Sequence, residues 1–464
     1  MNKLIVFFAL AILSFSTTFA QKGSINEEMI KKMQEQFQED QANIVRMNAL
    51  SNNSIKDIAL SRKNLSGIEH NFKYKVDVNG ISDQKSSGRC WLFTSLNVIR
   101  PKVIQKYNLS DFHFSQNYLF FWDQFEKSNL FLENIIKHAD EDIDSRMNHW
   151  LLGSPIGDGG VWSSFTNLVT KYGLVPTSIM PETHSSESTS YMRRMLNRKL
   201  REYALELRSM NEKGEKEKAI QDRKIEMMGV IYKMLALNLG EPPMEFNYRF
   251  VSKDKTIWKT KTYTPQSFAK EILPEINYEN YIMLMNDPTR EYYKLYEIEN
   301  DRNVMEGINW TYINLPNEEI KKYALESIKG NDAMYGSCDV GKQLNSDIGL
   351  LDIENYDFES VYGVKFGMNK KERIISRESG SSHGMALVAV DVNDEGKTSK
   401  WQFENSWGSS SGHNGYLTFT DEWFDEYMFS VVVLQKYLPD EITKILKEKA
   451  TKLPPWDPMF SQDN

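Results

Sequence analysis

Residues 84–91 read Gln-Lys-Ser-Ser-Gly-Arg-Cys-Trp, and Cys90 in this stretch is the residue that best reveals the fold and function of the 464-residue chain. A thiol of ordinary pKa is mostly protonated at neutral pH, so a nucleophilic cysteine needs a neighbouring imidazole that holds it as a thiolate. Far downstream the chain has a histidine in Ser-His383-Gly-Met and an amide in Glu-Asn405-Ser-Trp-Gly. Such an amide can fix the tautomer and orientation of the imidazole. The pattern predicts Cys90 as nucleophile, His383 as base and Asn405 as the residue that orients the base.

Gln84 completes the predicted catalytic group. It stands six residues before Cys90, where its side-chain N–H could stabilise a developing oxyanion beside the backbone N–H of Cys90. Taken singly, a cysteine is more often a small buried apolar residue, and a histidine or asparagine is more often a structural polar group. The four residue types in this order and context favour catalysis over those structural roles.

The first twenty residues have the pattern of a secretory signal peptide. A basic start at Lys3 precedes an apolar run at 4–13 and a small-residue cleavage site that ends at Ala20. A membrane anchor is the alternative, but the apolar run is short for a bilayer span. We therefore expect an exported protein, periplasmic or secreted after cleavage near Ala20, with no stable membrane insertion.

Composition excludes several functional classes. The formal net charge is −8, and no run of Lys and Arg is interleaved with aromatic residues, so nucleic-acid binding is not expected. No His, Cys and Asp cluster has metal-ligand spacing, and the predicted chemistry needs no cofactor. The only cysteines are Cys90 and Cys338. We interpret Cys338 as a buried thiol, with a bridge to Cys90 as the alternative.

Hydrophobic periodicity places the predicted catalytic residues on elements. Apolar residues at helical spacing predict a buried helix over 91–107, so that Cys90 would lie at its N-terminus, where the helix dipole favours a thiolate. Alternating segments at 383–391, 401–405 and 415–420 predict strands whose ends present His383 and Asn405. We divide the chain into a signal peptide (1–20), an N-terminal helical segment (21–70), a helical lobe with the nucleophile (71–186), an inserted helical and mixed region (187–335), a β-rich lobe with the histidine and asparagine (336–450) and an extended tail (451–464).

A glycine-rich segment at 157–160 is a second candidate for function. Gly159 and Gly160 would let a peptide backbone approach closely, as an added strand does. An ordinary turn is the alternative. A phosphate-binding loop is disfavoured because a preceding strand and the fuller glycine pattern are missing.

Several motifs resemble the bleomycin hydrolase and aminopeptidase C branch of the papain-like cysteine peptidases. They are Ser87-Gly-Arg-Cys-Trp91, Asp158-Gly-Gly-Val-Trp162, Lys171-Tyr-Gly-Leu-Val-Pro176, Gly336-Ser-Cys-Asp-Val-Gly-Lys342, Asn405-Ser-Trp-Gly408 and Leu453-Pro-Pro-Trp-Asp-Pro-Met459. The resemblance implies an α+β, two-lobed papain-like fold with a helical lobe and an antiparallel sheet or barrel lobe. His383 follows Cys90 by 293 residues (383 − 90), against roughly 130 to 150 in papain-like enzymes, so about 150 residues are inserted.

The resemblance also implies an activity. It implies an aminopeptidase that hydrolyses N-terminal residues from peptides with a free N-terminus through an acyl-enzyme. It further implies a homohexamer built by the insertion at 187–335, and a tail at 451–464 that lies in the cleft and offers its terminal carboxylate to the substrate amino group. With Gly159 and Gly160 at the substrate site we group Trp407, which would shield the Asn405–His383 hydrogen bond from water. The alternatives are an endopeptidase with an open cleft and a non-catalytic oligomeric scaffold.

The chain departs from the family pattern at its substrate site. Val161 stands where a Gln is usual, and Phe460-Ser-Gln-Asp-Asn464 replaces a tail that tends toward Gly-Ala-Leu-Ala. A signal peptide is a further departure, because this family is better known inside cells.

Overall fold

The computed structural model describes residues 23–65, 69–78 and 80–460. These residues form two compact units. The smaller unit holds the described residues up to Ser61 together with Tyr356–Phe366, and the larger unit holds Arg62–Asn355 and the chain from Gly367 onward. The predicted signal peptide lies outside the described residues.

The helices are α1 (Glu27–Glu39), α2 (Ala42–Asn52), α3 (Ile55–Ala59), α4 (Cys90–Lys106), α5 (Gln116–Lys137), α6 (Arg146–Gly153), α7 (Trp162–Tyr172), α8 (His184–Glu187), α9 (Ser190–Glu212), α10 (Glu217–Leu239), α11 (Pro265–Ile272), α12 (Asn317–Lys329), α13 (Phe358–Tyr362), α14 (Lys370–Ile375), α15 (Asp421–Tyr427) and α16 (Asp440–Thr443). Short 3-10 turns occur at Tyr278–Asn280, Gln435–Tyr437 and Lys444–Lys447.

The strands are β1 (Tyr74–Lys75), β2 (Phe246–Tyr248), β3 (Lys261–Tyr263), β4 (Tyr281–Met285), β5 (Lys294–Ile298), β6 (Thr311–Asn314), β7 (Met334–Cys338), β8 (Leu344–Asn345), β9 (Leu350–Leu351), β10 (His383–Val392), β11 (Thr398–Glu404), β12 (Tyr416–Thr420), β13 (Met428–Leu434) and β14 (Thr451–Leu453). All but β2 and β3 belong to one sheet, in the order β14-β5-β6-β4-β13-β7-β10-β11-β12-β9-β8, and β1 pairs with β10.

The centre of the sheet is antiparallel, as expected for the β-rich lobe. The pairs β13–β7, β7–β10, β10–β11 and β11–β12 all run antiparallel. Farther out the sheet is mixed, because β4–β6, β5–β14 and β9–β12 are parallel pairs. The predicted strands at 383–391, 401–405 and 415–420 are confirmed as β10, β11 and β12.

Helix α4 is the most deeply buried helix next to the sheet. Twelve of its 17 residues are buried, including Trp91, Leu92 and Ile99, and it packs on β10, α5 and α7. Apolar side chains on every face explain this burial, since a helix without a polar face is stable only when it is enclosed. The predicted helix over 91–107 is thus confirmed, with Cys90 as its first residue.

The inserted region is joined closely to the rest of the larger unit. Its predicted helices are α9 and α10, each of 23 residues, and both pack on α5. Its mixed part supplies β4, β5 and β6, which extend the sheet beyond β13. Periodicity predicts the helices of the insertion. It does not predict that strands of the insertion pair with the sheet that carries His383.

The smaller unit begins with a helix that carries an apolar face. Five apolar residues on or next to this helix are exposed by 41% to 68%: Ile25, Met29, Ile30, Met33 and Phe37. Helix α1 has no buried residue. Its spacing fixes an amphipathic face, but spacing cannot tell what covers that face.

No helix of the described residues is long and apolar enough to cross a membrane.

Candidate active site

Two separate parts of the larger unit supply the predicted catalytic residues. Cys90 begins α4 and is a partly exposed residue with a free thiol. His383 begins β10, and Asn405 directly follows β11, the antiparallel neighbour of β10. Because these two strands pair, the two side chains meet at one end of the sheet, where α4 also begins.

The structure brings Cys90, His383 and Asn405 into one hydrogen-bonded chain. His383 Nε2 lies 3.0 Å from Asn405 Oδ1. An amide oxygen only accepts, so Nε2 carries the proton and donates. The His383 side chain also hydrogen-bonds the Cys90 thiol, for which the other ring nitrogen, Nδ1, is left. This arrangement holds the imidazole in the tautomer that can accept the thiol proton.

The electrostatics of the pair favour the charged forms. Burial raises the pKa of Cys90, but attraction to His383, its hydrogen bond, and the backbone N–H groups of Gly384 and Trp91 together bring the pKa below its ordinary value. Burial lowers the pKa of His383, but Cys90 and the bond to Asn405 raise it above its ordinary value. A lowered pKa of the thiol and a raised pKa of the imidazole in contact with it show that the pair favours a thiolate beside an imidazolium.

Gln84 is held at the cleft by bonds on both ends of its amide. Its Oε1 accepts from Ser406 Oγ at 2.7 Å, and its Nε2 donates to Ser87 O at 2.7 Å. Its backbone N–H also donates to Ser406 O at 2.8 Å. A side-chain amide carries two N–H donors. One donor is used by Ser87, and the second can serve an oxyanion.

Trp407 lies against the imidazole, not in the lining of the cleft. Its ring centroid is 4.9 Å from that of His383, with the planes tilted by 33°. This position fits a role in shielding the bond between His383 and Asn405 from water.

The loop before Cys90 is fixed to the glycine-rich segment through Asp158. The Asp158 carboxylate accepts from Gly88 N at 3.1 Å and from Thr189 Oγ1, and its carbonyl accepts from Trp91 Nε1 at 2.7 Å. On its other side, Arg89 is fully buried and forms an ion pair with Glu182 at 2.8 Å. The nucleophile is therefore held from two directions.

Gly159 and Gly160 differ in the space that surrounds them. A Cβ at Gly160 would lie 2.7 Å from Trp91 Cε2, so the indole itself excludes a side chain. A Cβ at Gly159 would meet nothing within 4 Å. Gly159 thus leaves open the space where we expected a peptide backbone, whereas Gly160 is required by close packing on Trp91.

A buried ion pair links α4 to β11 behind the site. Arg100 Nη2 lies 2.8 Å from Glu404 Oε1 and donates to Gly80 O at 2.6 Å. Burial raises the pKa of Glu404 to about 7, and attraction to Arg100 opposes the rise. Since Glu404 precedes Asn405, this pair connects the helix of the nucleophile with the strand that carries the asparagine.

The catalytic residues open into a cleft of about 630 Å³, and the tail forms part of its wall. Strand β14 pairs with β5, Arg290 forms an ion pair with Asp457, and Phe460 packs edge-to-face on Trp310 at 4.6 Å. Pro455 and Phe460 line the cleft. The tail is extended only over β14 and then turns at 455–456 and 458–460. The altered residues 461–464 lie outside the described residues.

Cys338 is a buried free thiol, which confirms that it does not bridge to Cys90. It lies opposite His383 in the β7–β10 register. Burial first, then the charges of Asp339 and Cys90, raise the pKa of this thiol well above its ordinary value. Within the described residues, no group of three or more His, Cys, Asp or Glu side chains is arranged to hold a metal ion.

Sequence reasoning missed three residues of this region. Asp158 precedes Gly159, and Ser406 follows Asn405. Their position next to predicted site residues could have identified both from the sequence. Asp301 also lines the cleft, but no motif or periodicity marks it.

Comparison with known proteins places the chain in a family. The model of the Peptidase C1-like family matches residues 24–460. Bleomycin hydrolase of Mus musculus is 39% identical over 447 residues, which covers 94% of this chain and 98% of the relative. Aminopeptidase C of Listeria monocytogenes is 36% identical over 437 residues, with coverage of 94% and 98%.

A solved structure shares the fold of this chain. The crystal structure of PepW from Lactobacillus rhamnosis superposes with a TM-score of 0.92 at 36% identity, covering 96% of this chain and 100% of that one. The α+β, papain-like fold expected from the motifs is therefore confirmed. With matches over nearly its whole length, the chain belongs to the Peptidase C1-like family and is a cysteine peptidase.

Proposed function

We propose that this chain is a cysteine aminopeptidase in which Cys90, His383 and Asn405 perform the chemistry. The Cys90 thiolate attacks the carbonyl carbon of the substrate's N-terminal residue, and a thioester forms as the C–N bond breaks. The imidazolium of His383 gives its proton to the leaving amine. Water, deprotonated by the neutral imidazole, then hydrolyses the thioester and regenerates the thiol. The observation that carries this proposal is the hydrogen bonding of His383 to both Cys90 and Asn405.

The oxyanion of each tetrahedral intermediate would accept two hydrogen bonds. One comes from the second N–H of Gln84 Nε2, and the other from the backbone N–H of Cys90. The bonds that Gln84 makes to Ser406 and Ser87 support this role, because a donor fixed in advance needs no reorganisation during the reaction.

Restriction to N-terminal residues is supported by the relatives and by the tail. The relatives are named aminopeptidase C and bleomycin hydrolase. Pro455 and Phe460 line the cleft, and the tail would leave less room for residues N-terminal to the attacked one. Gly159 would lie along the substrate backbone.

Paired substrates test the aminopeptidase proposal. We expect alanyl-aminomethylcoumarin to be hydrolysed at least 10-fold faster, in kcat/KM, than its N-acetyl form, and Cys90→Ala to abolish both activities. Equal cleavage of the blocked substrate would instead indicate an endopeptidase. A Cys90 that reacts with iodoacetamide at pH 6 no faster than free cysteine would indicate a non-catalytic scaffold.

Two further proposals concern the setting of the enzyme. We propose that it is exported after cleavage near Ala20, on the N-terminal sequence pattern alone. We also propose a homohexamer, on the family resemblance; the exposed apolar face of α1 is consistent with a contact between subunits. Sedimentation equilibrium of the purified mature chain tests the second, and a monomeric mass would contradict it.

A further inference from the structure

Residues 300–302 lie in the wall of the cleft, at and directly after the turn at 299–300 that follows β5. All three line the same cavity as Cys90 and His383. Asn300 has a left-handed backbone with φ of 59°, which Asn tolerates better than most residues. Asp301 is fixed by its backbone, because its carbonyl accepts from Trp310 N at 2.8 Å. The turn therefore presents Asp301 at a defined place in the wall.

The Asp301 carboxylate has no partner within the protein. Among residues 23–65, 69–78 and 80–460, no side chain or backbone group forms a hydrogen bond or ion pair with it. Burial raises the pKa of Asp301 to about 6, and the charge of Lys127 opposes the rise. At neutral pH the group is therefore mostly ionised, in a partly desolvated place where a cation would be bound strongly.

Lys127, the cation whose charge acts on Asp301, does not neutralise it by contact. Lys127 Nζ lies 2.7 Å from Asp123 Oδ2, donates to Gly157 O at 3.1 Å and also donates to Gly159 O. An ammonium group has three N–H donors, and these three acceptors use all of them. The charge of Lys127 thus acts on Asp301 at a distance, but Lys127 does not donate a hydrogen bond to it.

The other charged groups of the cleft wall are engaged elsewhere. Arg302 donates to Asn309 Oδ1 at 3.2 Å, and Arg193 lies 3.9 Å from Asp158 Oδ1. Asp158 itself accepts from Gly88 and Thr189. Among the charged side chains that line the cleft in the described structure, Asp301 is the anion left available for a ligand.

We infer that Asp301 binds the α-ammonium group of the substrate and so selects peptides with a free N-terminus. The inference rests on the proposed function, since only an aminopeptidase substrate has its ammonium next to the attacked carbonyl. The place of Asp301 in the cleft fits this role. Lys127 acts on Asp301 through its charge and donates a hydrogen bond to Gly159 O, and the substrate backbone would lie along Gly159. A carboxylate and an ammonium form charge-assisted hydrogen bonds, which are about twice as strong as neutral ones. Asp301 in the wall of the cleft would thus bind the substrate ammonium. The family resemblance gives that role to the terminal carboxylate of the tail.

Two substrates that differ only in the amino group test the inference. Alanyl-aminomethylcoumarin carries the ammonium, and propionyl-aminomethylcoumarin has hydrogen in its place. The ratio of their kcat/KM values isolates ammonium recognition, because losses in folding or in chemistry affect both substrates alike. We expect Asp301→Asn to lower this ratio roughly 30-fold or more, as removal of one partner of a desolvated charge pair does. Hydrolysis of the propionyl substrate should stay unchanged and report an intact fold.

Matched variants control for charge and side-chain length. Asp394→Asn makes the same charge change at an exposed turn position and should leave the ratio unchanged. Asp301→Glu should restore part of it.

The pH dependence gives a second readout. In the wild type the ratio should fall as the pH drops through about 6, where Asp301 takes up a proton. Cys90 and His383 act on both substrates and cancel in the ratio. The other charged side chains that line the cleft, Lys127, Asp158, Arg193 and Arg302, also face both substrates. The dependence should be absent in Asp301→Asn.

Three outcomes would overturn the inference. A ratio and pH dependence that persist in Asp301→Asn remove Asp301 from ammonium recognition but leave the aminopeptidase proposal standing. A chain truncated after Phe460 that loses the preference, while Asp301→Asn keeps it, assigns the ammonium to the tail. A wild-type ratio near one removes the aminopeptidase proposal and, with it, any ammonium site.

Discussion

Substituting Gly160 with alanine adds a single methyl group where the indole of Trp91 leaves no room for it. The new Cβ would lie 2.7 Å from Trp91 Cε2, which is 0.7 Å closer than the 3.4 Å at which ordinary contact begins (3.4 − 2.7). Trp91 cannot easily withdraw, because it is 1% exposed and its Nε1 donates to Asp158 O. The backbone at Gly160 does not have the positive φ that would disfavour alanine. Backbone strain therefore does not contribute, and the effect comes from the displacement of Trp91.

The size of the effect follows from these contacts. Overpacking of this kind costs about 1–3 kcal/mol of the free energy of unfolding. Loss of the Trp91–Asp158 hydrogen bond adds about 1 kcal/mol. We therefore expect Gly160→Ala to be about 2–4 kcal/mol less stable than the wild type. Because Trp91 follows Cys90, its displacement also moves the nucleophile, and a shift of about 1 Å can cost on the order of 100-fold in kcat/KM.

Urea unfolding and hydrolysis of alanyl-aminomethylcoumarin measure the two effects. Gly159→Ala is the matched control, since its Cβ would meet nothing within 4 Å. The control should keep wild-type stability and change only KM, because its methyl group enters the substrate space. Equal stability of the two variants would refute the argument that Trp91 dictates glycine at position 160.

Three other perturbations test separate parts of the site. Gln84→Ala should lower kcat by roughly 100- to 1000-fold with little change in KM, as loss of one oxyanion donor does; an equal rise in KM would assign Gln84 to ground-state binding. Burial holds the pKa of Glu404 at about 7, above the value of 4.5 that it has when exposed, so the native protein keeps this proton longer than the unfolded chain does. Stability should therefore fall, on the order of 3 kcal/mol, as the pH rises from about 4.5 through 7, and urea unfolding of Glu404→Gln between pH 5 and pH 8 should lack this component; identical slopes would contradict it. N-terminal sequencing of the protein recovered outside the cytoplasm should begin at Gln21, and an intact Met1 would rule out cleavage near Ala20.

The sequence predicts the centre of the fold well because its signals there are local. The apolar run after Cys90 and the alternation from His383 onward specify α4 and β10, and both elements appear where expected. The order of the motifs also predicts which residues meet. These predictions succeed since periodicity and helix-end chemistry depend on neighbouring residues only.

The remaining parts depend on contacts between residues far apart in the chain. The pairing of β4 with β13 and of β14 with β5 joins segments that carry no mutual signal, so the outer half of the sheet could not be foreseen. The pair of Arg100 and Glu404 spans 304 positions. Asp301 acquires its position from a turn whose sequence resembles any other polar loop. In each case the fold, and not the local pattern, gives the residue its environment.

The docked tail has a consequence for how the enzyme comes into being. Residues 451–460 are synthesised after every other described residue, yet Pro455 and Phe460 complete the wall of the cleft. Until these residues have left the ribosome, this part of the wall is missing. Whatever selectivity the tail contributes under the proposed function is therefore acquired last in biosynthesis.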